Sequence, residues 1–123
     1  MPGESVQIAL WEQLQDRVPL GVQVATVDLV VLRLDDEVHL LFGRCTHRNA
    51  SLADARVEGN KLVCRHHGWD YNCRTGRSMI DDEEALQPFK VWRDGDAVWA
   101  DASAVKAWRA QTPMDFYDDE LDL

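Results

Sequence analysis

Two short segments that each combine a cysteine with a histidine constrain this chain more than any other feature. They are Cys45-Thr46-His47 and Cys64-Arg65-His66-His67, and each follows an apolar run that predicts a β-strand. Two loops that each present one thiolate and one imidazole are suited to a shared metal centre. Structural zinc sites usually pair Cys with Cys and His with His at short spacings, so the Cys-x-His spacing of the first segment fits zinc poorly. A 2Fe-2S centre in which two His replace two Cys on one iron needs two Cys and two His.

The order and spacing of these residues resemble the Rieske 2Fe-2S proteins, whose motif is Cys-x-His followed by a spacer and Cys-x-x-His. The resemblance extends to His67-Gly68-Trp69-Asp70-Tyr71 and to Thr75-Gly76. It implies one 2Fe-2S cluster per chain, with two cysteines on one iron and two histidines on the other. The implied ligands are Cys45, Cys64, His47 and His67.

His66 competes with His67 for the last ligand position, because Cys64-Arg65-His66 is also a Cys-x-His sequence. The His-Gly-Trp sequence resembles the oxygenase and ferredoxin branches of the family and selects His67. His66 is then expected at an exposed position or beside the ligands. A zinc site built from the same four residues is the remaining alternative.

Two differences from the cytochrome bc-type branch place the chain nearer the ferredoxins. The bc-type proteins carry a Ser and a Tyr shortly after the last His that donate hydrogen bonds to the cluster, and these positions hold Trp69 and Tyr71 here. The bc-type proteins also join their ligand loops by a disulfide, at positions that hold Ala50 and His66 here. Trp69, Tyr71 and His66 are therefore expected around the ligands, with Tyr71 either donating one such bond or packing in the core.

The pattern of apolar runs and turn signals predicts a mainly β protein. Strands are indicated over residues 6–10, 22–34, 38–42, 61–63, 69–71, 89–93 and 97–100. Residues 35–36 are expected to turn the second run back into the third, and Asp94-Gly95-Asp96 is expected to close a hairpin.

A short helix over residues 102–110, capped by Asp101, is expected at the end of the fold. With the resemblance, these elements give a Rieske-type antiparallel β-sandwich with a short C-terminal helix. A small two-loop cluster-binding subdomain is expected over about residues 43–79. The Rieske domain is then expected to span residues 1–111, and residues 112–123 to form an acidic tail or linker.

The formal net charge of −9 argues against nonspecific nucleic-acid binding. The charge is uneven, because residues 44–77 hold seven bases and three acids, whereas the last nine residues hold five acids and no base. Arg44, Arg48 and Arg65 flank the ligands. We expect them to form a basic face that meets an acidic patch on a protein partner.

The chain shows neither an apolar run of membrane-spanning length nor the pattern of a signal peptide, so a cytoplasmic location without membrane contact is expected. Its three cysteines are an odd number, which in a reducing compartment favours metal binding over disulfides. Cys73 lies outside the motif and is expected to be a small buried residue.

The resemblance implies a ferredoxin, that is, an electron carrier and not an enzyme. It would pass single electrons from a flavin-dependent reductase to a terminal oxygenase, with protein partners and a monomeric state. The alternative is the Rieske domain of a larger oxidoreductase, either an oxygenase subunit or a fused flavoprotein. A third interpretation, a Rieske-like subunit without a cluster as in some nitrite reductases, is disfavoured because all four ligands are present.

Overall fold

Antiparallel β-strands make up most of the fold. The computed structural model describes residues 4–44, 51–64, 70–78 and 85–111. The strands are β1 (Ser5–Leu10), β2 (Leu20–Val24), β3 (Val27–Leu34), β4 (Glu37–Phe42), β5 (Arg56–Glu58), β6 (Lys61–Val63), β7 (Asp70–Asn72), β8 (Pro88–Phe89), β9 (Val91–Asp94) and β10 (Ala97–Asp101). A 3-10 helix (Trp11–Gln13) follows β1, and α1 (Ala102–Gln111) follows β10. The prediction of a mainly β protein with a short C-terminal helix is confirmed.

Two sheets form the body of the protein. One has the strand order β1-β10-β9 and the other β2-β3-β4-β8, and all neighbouring strands are antiparallel. In β3, Leu29 is 2% exposed and Val30, Val31 and Leu32 are 0% exposed. Because successive side chains of a strand point to opposite faces, β3 is covered on both sides and lies at the centre of the core.

The helix α1 begins at a side-chain cap. Asp101 Oδ1 accepts hydrogen bonds from the backbone N–H groups of Ser103 and Ala104, at 3.0 and 3.3 Å. This confirms the predicted N-cap. Trp108 packs on Phe42 with 5.0 Å between the ring centroids, which places α1 against the end of β4. Within the described residues, no helix is long and apolar enough to cross a membrane.

The strands differ from the prediction in three places. The run 22–34 is divided by a turn at Ala25-Thr26, where φ is 52° and 66°. Such turns favour Asn and Gly, so the sequence carried no signal for this one. The run 89–93 is divided at Lys90, because β8 pairs with β4 and β9 pairs with β10. β5 was not predicted, since its three residues include a single apolar one.

The strands β5, β6 and β7 form a third sheet, inside the predicted cluster-binding subdomain. Two arginines tie this sheet to the β3–β4 turn. Arg17 donates from Nε to the carbonyl of Gly59 at 3.4 Å and pairs with Asp35 at 3.2 Å. Arg74 pairs with Glu37 at 2.9 Å. The end of the third sheet that holds the β5–β6 turn is thus fastened to the body.

Candidate metal centre

One of the four predicted ligands, Cys64, lies in the described part of the chain. It directly follows β6 and is 0% exposed. The predicted site residues that lie outside the described part are Cys45, His47, His66, His67 and Trp69. The described ranges alone accordingly contain no group of three His, Cys, Asp or Glu side chains that could hold a metal ion. The described residues show where the first ligand loop (residues 45–50) and the second ligand loop (residues 65–69) leave the sheets and return to them.

The first ligand loop is closed at its base. The N–H of Gly43 donates to the carbonyl of Asp28 at 2.8 Å, and the N–H of Leu52 donates to the carbonyl of Gly43 at 2.7 Å. Arg44 and Ser51 form an antiparallel bridge. The chain therefore leaves β4 and returns at the same point beside β3.

The second ligand loop is closed in the same way by β6 and β7. Val63 and Asp70 are antiparallel partners at the end of this strand pair. Cys64 is the residue after Val63, so it stands where the chain leaves the sheet. Its burial places the thiol beneath the loop, in the core cluster of the fold.

The residues that follow the first ligand loop and the strands that flank the second meet at one end of the third sheet. Arg56 of β5 pairs with Val63 of β6, which in turn pairs with Asp70 of β7. The chain that returns from the first ligand loop turns just before β5, where the N–H of Ala55 donates to the carbonyl of Leu52 at 3.1 Å. Because β5 begins where β6 ends, the chain that returns from the first ligand loop reaches the strand end at which the second ligand loop begins. A centre shared by two Cys/His pairs requires this arrangement.

Two glycines let the residues that flank the first ligand loop pack directly on the body sheet. A Cβ atom on Gly43 would lie 2.8 Å from the carbonyl carbon of Leu29 in β3. A Cβ atom on Gly21 would lie 2.8 Å from the Cβ of Ala53, just after the loop. The sequence did not single out these positions. Each glycine lies in or beside a strand-like run. Such a glycine indicates that another backbone segment approaches closely, but the sequence does not identify that segment.

Tyr71 and Cys73 lie in the core behind the second ligand loop, and both are 0% exposed. The cross-strand neighbour of Tyr71 is Leu62, which is also buried. Core packing of Tyr71 is thus confirmed, while its hydrogen bond to the cluster stays a prediction. Burial raises the pKa of the Cys73 thiol to about 11. This thiol is protonated at neutral pH and therefore a poor nucleophile, which agrees with its prediction as a small buried residue.

Asp70 provides a test of whether the region fits a cluster with histidine ligands. Its Oδ1 is buried and accepts no hydrogen bond, alone among the buried side-chain nitrogen and oxygen atoms of the described residues. Its Oδ2 lies 3.8 Å from Nζ of Lys61. A buried acceptor without a donor is costly, and in native proteins it signals a partner such as an ion or cofactor. Metal-bound imidazoles commonly donate their second ring N–H to a carboxylate. A buried thiol and this carboxylate at the base of one loop therefore fit the implied cluster.

The basic residues around the ligand loops are largely paired with acids. Four of them form ion pairs: Arg44–Asp28, Arg56–Glu58, Lys61–Asp70 and Arg74–Glu37. The Arg44–Asp28 contact is 2.7 Å long, and both side chains are about a quarter exposed. Arg77 is exposed, whereas Arg48 and Arg65 lie outside the described residues. The predicted basic face therefore rests on fewer unpaired charges than the sequence suggested.

Comparisons with known proteins identify the family. The sequence model of the Rieske [2Fe-2S] domain matches residues 4–93. The chain is 44% identical over 62 residues to methylxanthine N1-demethylase NdmA of Pseudomonas putida, a match that covers 50% of this chain and 18% of that protein. It is 28% identical over 97 residues to the ferredoxin component of the naphthalene 1,2-dioxygenase system of Pseudomonas aeruginosa, which covers 78% of this chain and 92% of that protein. The ferredoxin of carbazole 1,9a-dioxygenase from Nocardioides aromaticivorans IC177 is similar in structure, with a TM-score of 0.75 and 23% identity over 80% of this chain and 97% of that protein.

These matches differ in how much of each relative they cover. The chain spans 18% of the demethylase, whereas it spans 92% of the naphthalene ferredoxin component. The similarity to the carbazole ferredoxin structure confirms the Rieske-type antiparallel fold. The family match covers most of the chain, including both ligand loops. The chain therefore belongs to the Rieske [2Fe-2S] domain family, and its cofactor is one 2Fe-2S cluster.

Proposed function

We propose that this chain is a Rieske ferredoxin, an electron carrier that accepts one electron from a flavin-dependent reductase and passes it to a terminal oxygenase. Its cluster is held by Cys45 and Cys64 on one iron and by His47 and His67 on the other. The observation that carries the proposal is that the residues after the first ligand loop and the strands that flank the second meet at one end of the third sheet, where Cys64 is buried. The extent of the match with a ferredoxin component supports the carrier function.

The cluster supplies one-electron chemistry, and its two neutral histidine ligands raise its reduction potential above that of an all-cysteine cluster. The protein's part is to hold the ligands in place. The Arg44–Ser51 bridge closes the first ligand loop, and the Val63–Asp70 pair closes the second. The buried core residues of the adjoining strands hold these closures in place. An outer-sphere electron carrier needs no nucleophile or general base.

The partners follow from the same relationship. The naphthalene relative is the ferredoxin component of a dioxygenase system, and we assign this chain the corresponding position between a reductase and an oxygenase in the cytoplasm. Residues 1–111 form the Rieske domain, with the cluster-binding subdomain over about residues 43–79. Residues 112–123 serve as an acidic tail or linker, and the carrier acts as a monomer.

A basic docking surface at the ligand loops depends on Arg48, Arg65 and Arg77. Of the other four basic residues of this region, Arg44, Arg56 and Arg74 form close ion pairs with acids, and Lys61 makes a longer contact with Asp70. Steering by a few charges should give a moderate decrease in the association rate with the reductase as salt is raised. The double change Arg48→Gln and Arg65→Gln should remove most of that salt dependence. An association rate that is insensitive to salt in the unmodified protein would exclude electrostatic steering.

The ligand assignment is tested by substituting adjacent histidines. His67→Ala should abolish the visible absorption and the low-temperature EPR signal of the dithionite-reduced protein, because it removes an iron ligand. His66→Ala is the matched control and should leave both signals in place. If His66→Ala removes the signals and His67→Ala does not, the ligand assignment is reversed. A colourless unmodified protein with stoichiometric zinc would refute the electron-transfer proposal itself.

A second candidate is supported by the higher local identity to the demethylase, of which this chain matches a small part. On that alternative, the chain corresponds to the Rieske domain of a larger oxidoreductase. The two candidates differ in whether the cluster works as a separate component. The purified chain, mixed with a flavin-dependent reductase and a terminal oxygenase of the naphthalene type, should support substrate oxidation that rises with its concentration. Reduction of the cluster without any transfer to separate oxygenases would favour the multidomain alternative.

A further inference from the structure

Within the part of the chain that the structure describes, the charge of the Asp70 carboxylate is compensated only in part. Its Oδ1 is buried without a hydrogen-bond donor. Its Oδ2 has one basic neighbour among the described residues, Lys61 at 3.8 Å. The Asp70 side chain is 20% exposed, and that of Lys61 is 50% exposed. A pair that is this long and half solvated on one side offsets only part of the charge.

Asp70 also directly follows the second ligand loop. It pairs with Val63, the residue before Cys64, and it is the first residue of β7 after the second ligand loop. Its side chain lies on the face of the third sheet opposite to Tyr71, because the two are consecutive in a strand. Val63 on the same face is 6% exposed, so the side of Asp70 that faces β6 is shielded from water.

A stability role does not account for this arrangement. A partly buried carboxylate with one unsatisfied oxygen destabilises a fold relative to a neutral side chain of the same shape. Charges that are shielded from water act more strongly on their neighbours than exposed charges do. The neighbour that gains an electron in the proposed function is the cluster held by the adjacent loop.

We propose that Asp70 sets the reduction potential of the cluster to a lower value than the fold alone would give. This inference rests on the proposed function. A fixed negative charge beside the second ligand loop opposes the arrival of one more electron, so it shifts the equilibrium toward the oxidised protein. Lys61 counteracts part of this effect through its long contact with Oδ2. Removing the two charges should therefore move the potential in opposite directions.

The test is a potentiometric titration of the purified, cluster-loaded protein at low ionic strength, followed by visible absorption or EPR. Asp70→Asn should increase the equilibrium constant for one-electron reduction about threefold or more, which corresponds to roughly 28 mV for one electron. Lys61→Met should decrease the constant. Asp94→Asn is the matched control, because it removes the same charge from an exposed position in the β9–β10 hairpin. Its potential should equal that of the unmodified protein.

The outcomes separate this inference from the proposed function. An unchanged or lower potential in Asp70→Asn overturns the inference, and so does an equal rise in Asp94→Asn, which would indicate a general effect of net charge. If Asp70→Asn does not retain its cluster, Lys61→Met decides, since an unchanged potential there also overturns the inference. If Asp70 had only a structural role, Asp70→Asn would lower the cluster content or the stability, and Asp70→Asn and Lys61→Met would not shift the reduction potential in opposite directions. Absence of a reducible cluster in the unmodified protein refutes the proposed function instead.

Discussion

Replacing Gly76 by alanine should destabilise this protein far more than the same change at another glycine with positive φ. Gly76 has a φ of +79°, and a Cβ atom there would lie 2.0 Å from the carbonyl oxygen of Leu86. That oxygen belongs to the backbone, so no side-chain rotation relieves the contact. The same two residues are joined by a hydrogen bond from the Leu86 N–H to the Gly76 carbonyl at 2.7 Å.

The size of the effect follows from two costs. A left-handed backbone conformation costs a non-glycine residue roughly 1–2 kcal/mol, and overpacking against a fixed neighbour typically costs about 1–3 kcal/mol. Gly76→Ala should thus lower the free energy of unfolding by about 3 kcal/mol. In a domain of about 100 residues this corresponds to a Tm that is at least ~12 °C lower.

Gly59→Ala is the matched control for this prediction. Gly59 has a φ of +63°, and no atom lies within 4 Å of the position of its Cβ. It therefore bears the backbone cost without the steric one. The assay is thermal unfolding of the cluster-loaded proteins, followed by far-UV circular dichroism at one scan rate, so that any irreversible step affects both variants alike. Equal decreases in Tm for the two variants would refute the reasoning, since the contact with Leu86 would then contribute nothing.

Three further predictions concern other parts of the fold. Gly43→Ala should reduce the iron content per chain, because its Cβ would lie 2.8 Å from the backbone of β3 under the first ligand loop; full iron content would contradict this. Cys73 should resist iodoacetamide in the native protein and react after denaturation, as mapped by mass spectrometry, since burial raises its pKa to about 11. Rapid native labelling would count against that burial. Hydrogen bonding by Ser103 lowers the pKa of Asp101 below 3.8, so its stabilising charge is present above that pH and is lost as pH falls through the lowered pKa. Asp101→Asn should therefore lower Tm at neutral pH, and a difference from the unmodified protein that persists undiminished near pH ~3 would contradict this assignment.

The parts of the fold that depend on local spacing could be predicted from the sequence. A ligand pair in one loop is fixed by residue type and by a separation of a few positions, so the two Cys/His segments were visible without any knowledge of the fold. The same holds for α1, because a cap and its helix are neighbours in sequence. The prediction of Asp101 as the cap is confirmed by its bonds to the following N–H groups.

The parts that depend on distant contacts could not be predicted in this way. β1 pairs with β10, and Ser5 faces Asp101 in that pair. No local pattern states which of several similar strands will be neighbours. The steric roles of Gly43 and Gly76 also belong to this class, because each is set by a backbone segment from another part of the chain.

The register of β6 and β7 connects the ligand loops to the charge beside them. Val63 opposite Asp70 closes the second ligand loop, and Leu62 opposite Tyr71 fills the core. Since side chains alternate along a strand, a shift of one residue would turn Asp70 into the core and Tyr71 outward, with the loss of both features. Burial of Tyr71 therefore holds Asp70 on the opposite face. If Asp70 sets the potential, then the packing of Tyr71 contributes to that potential through the register, without any contact of its own with the iron.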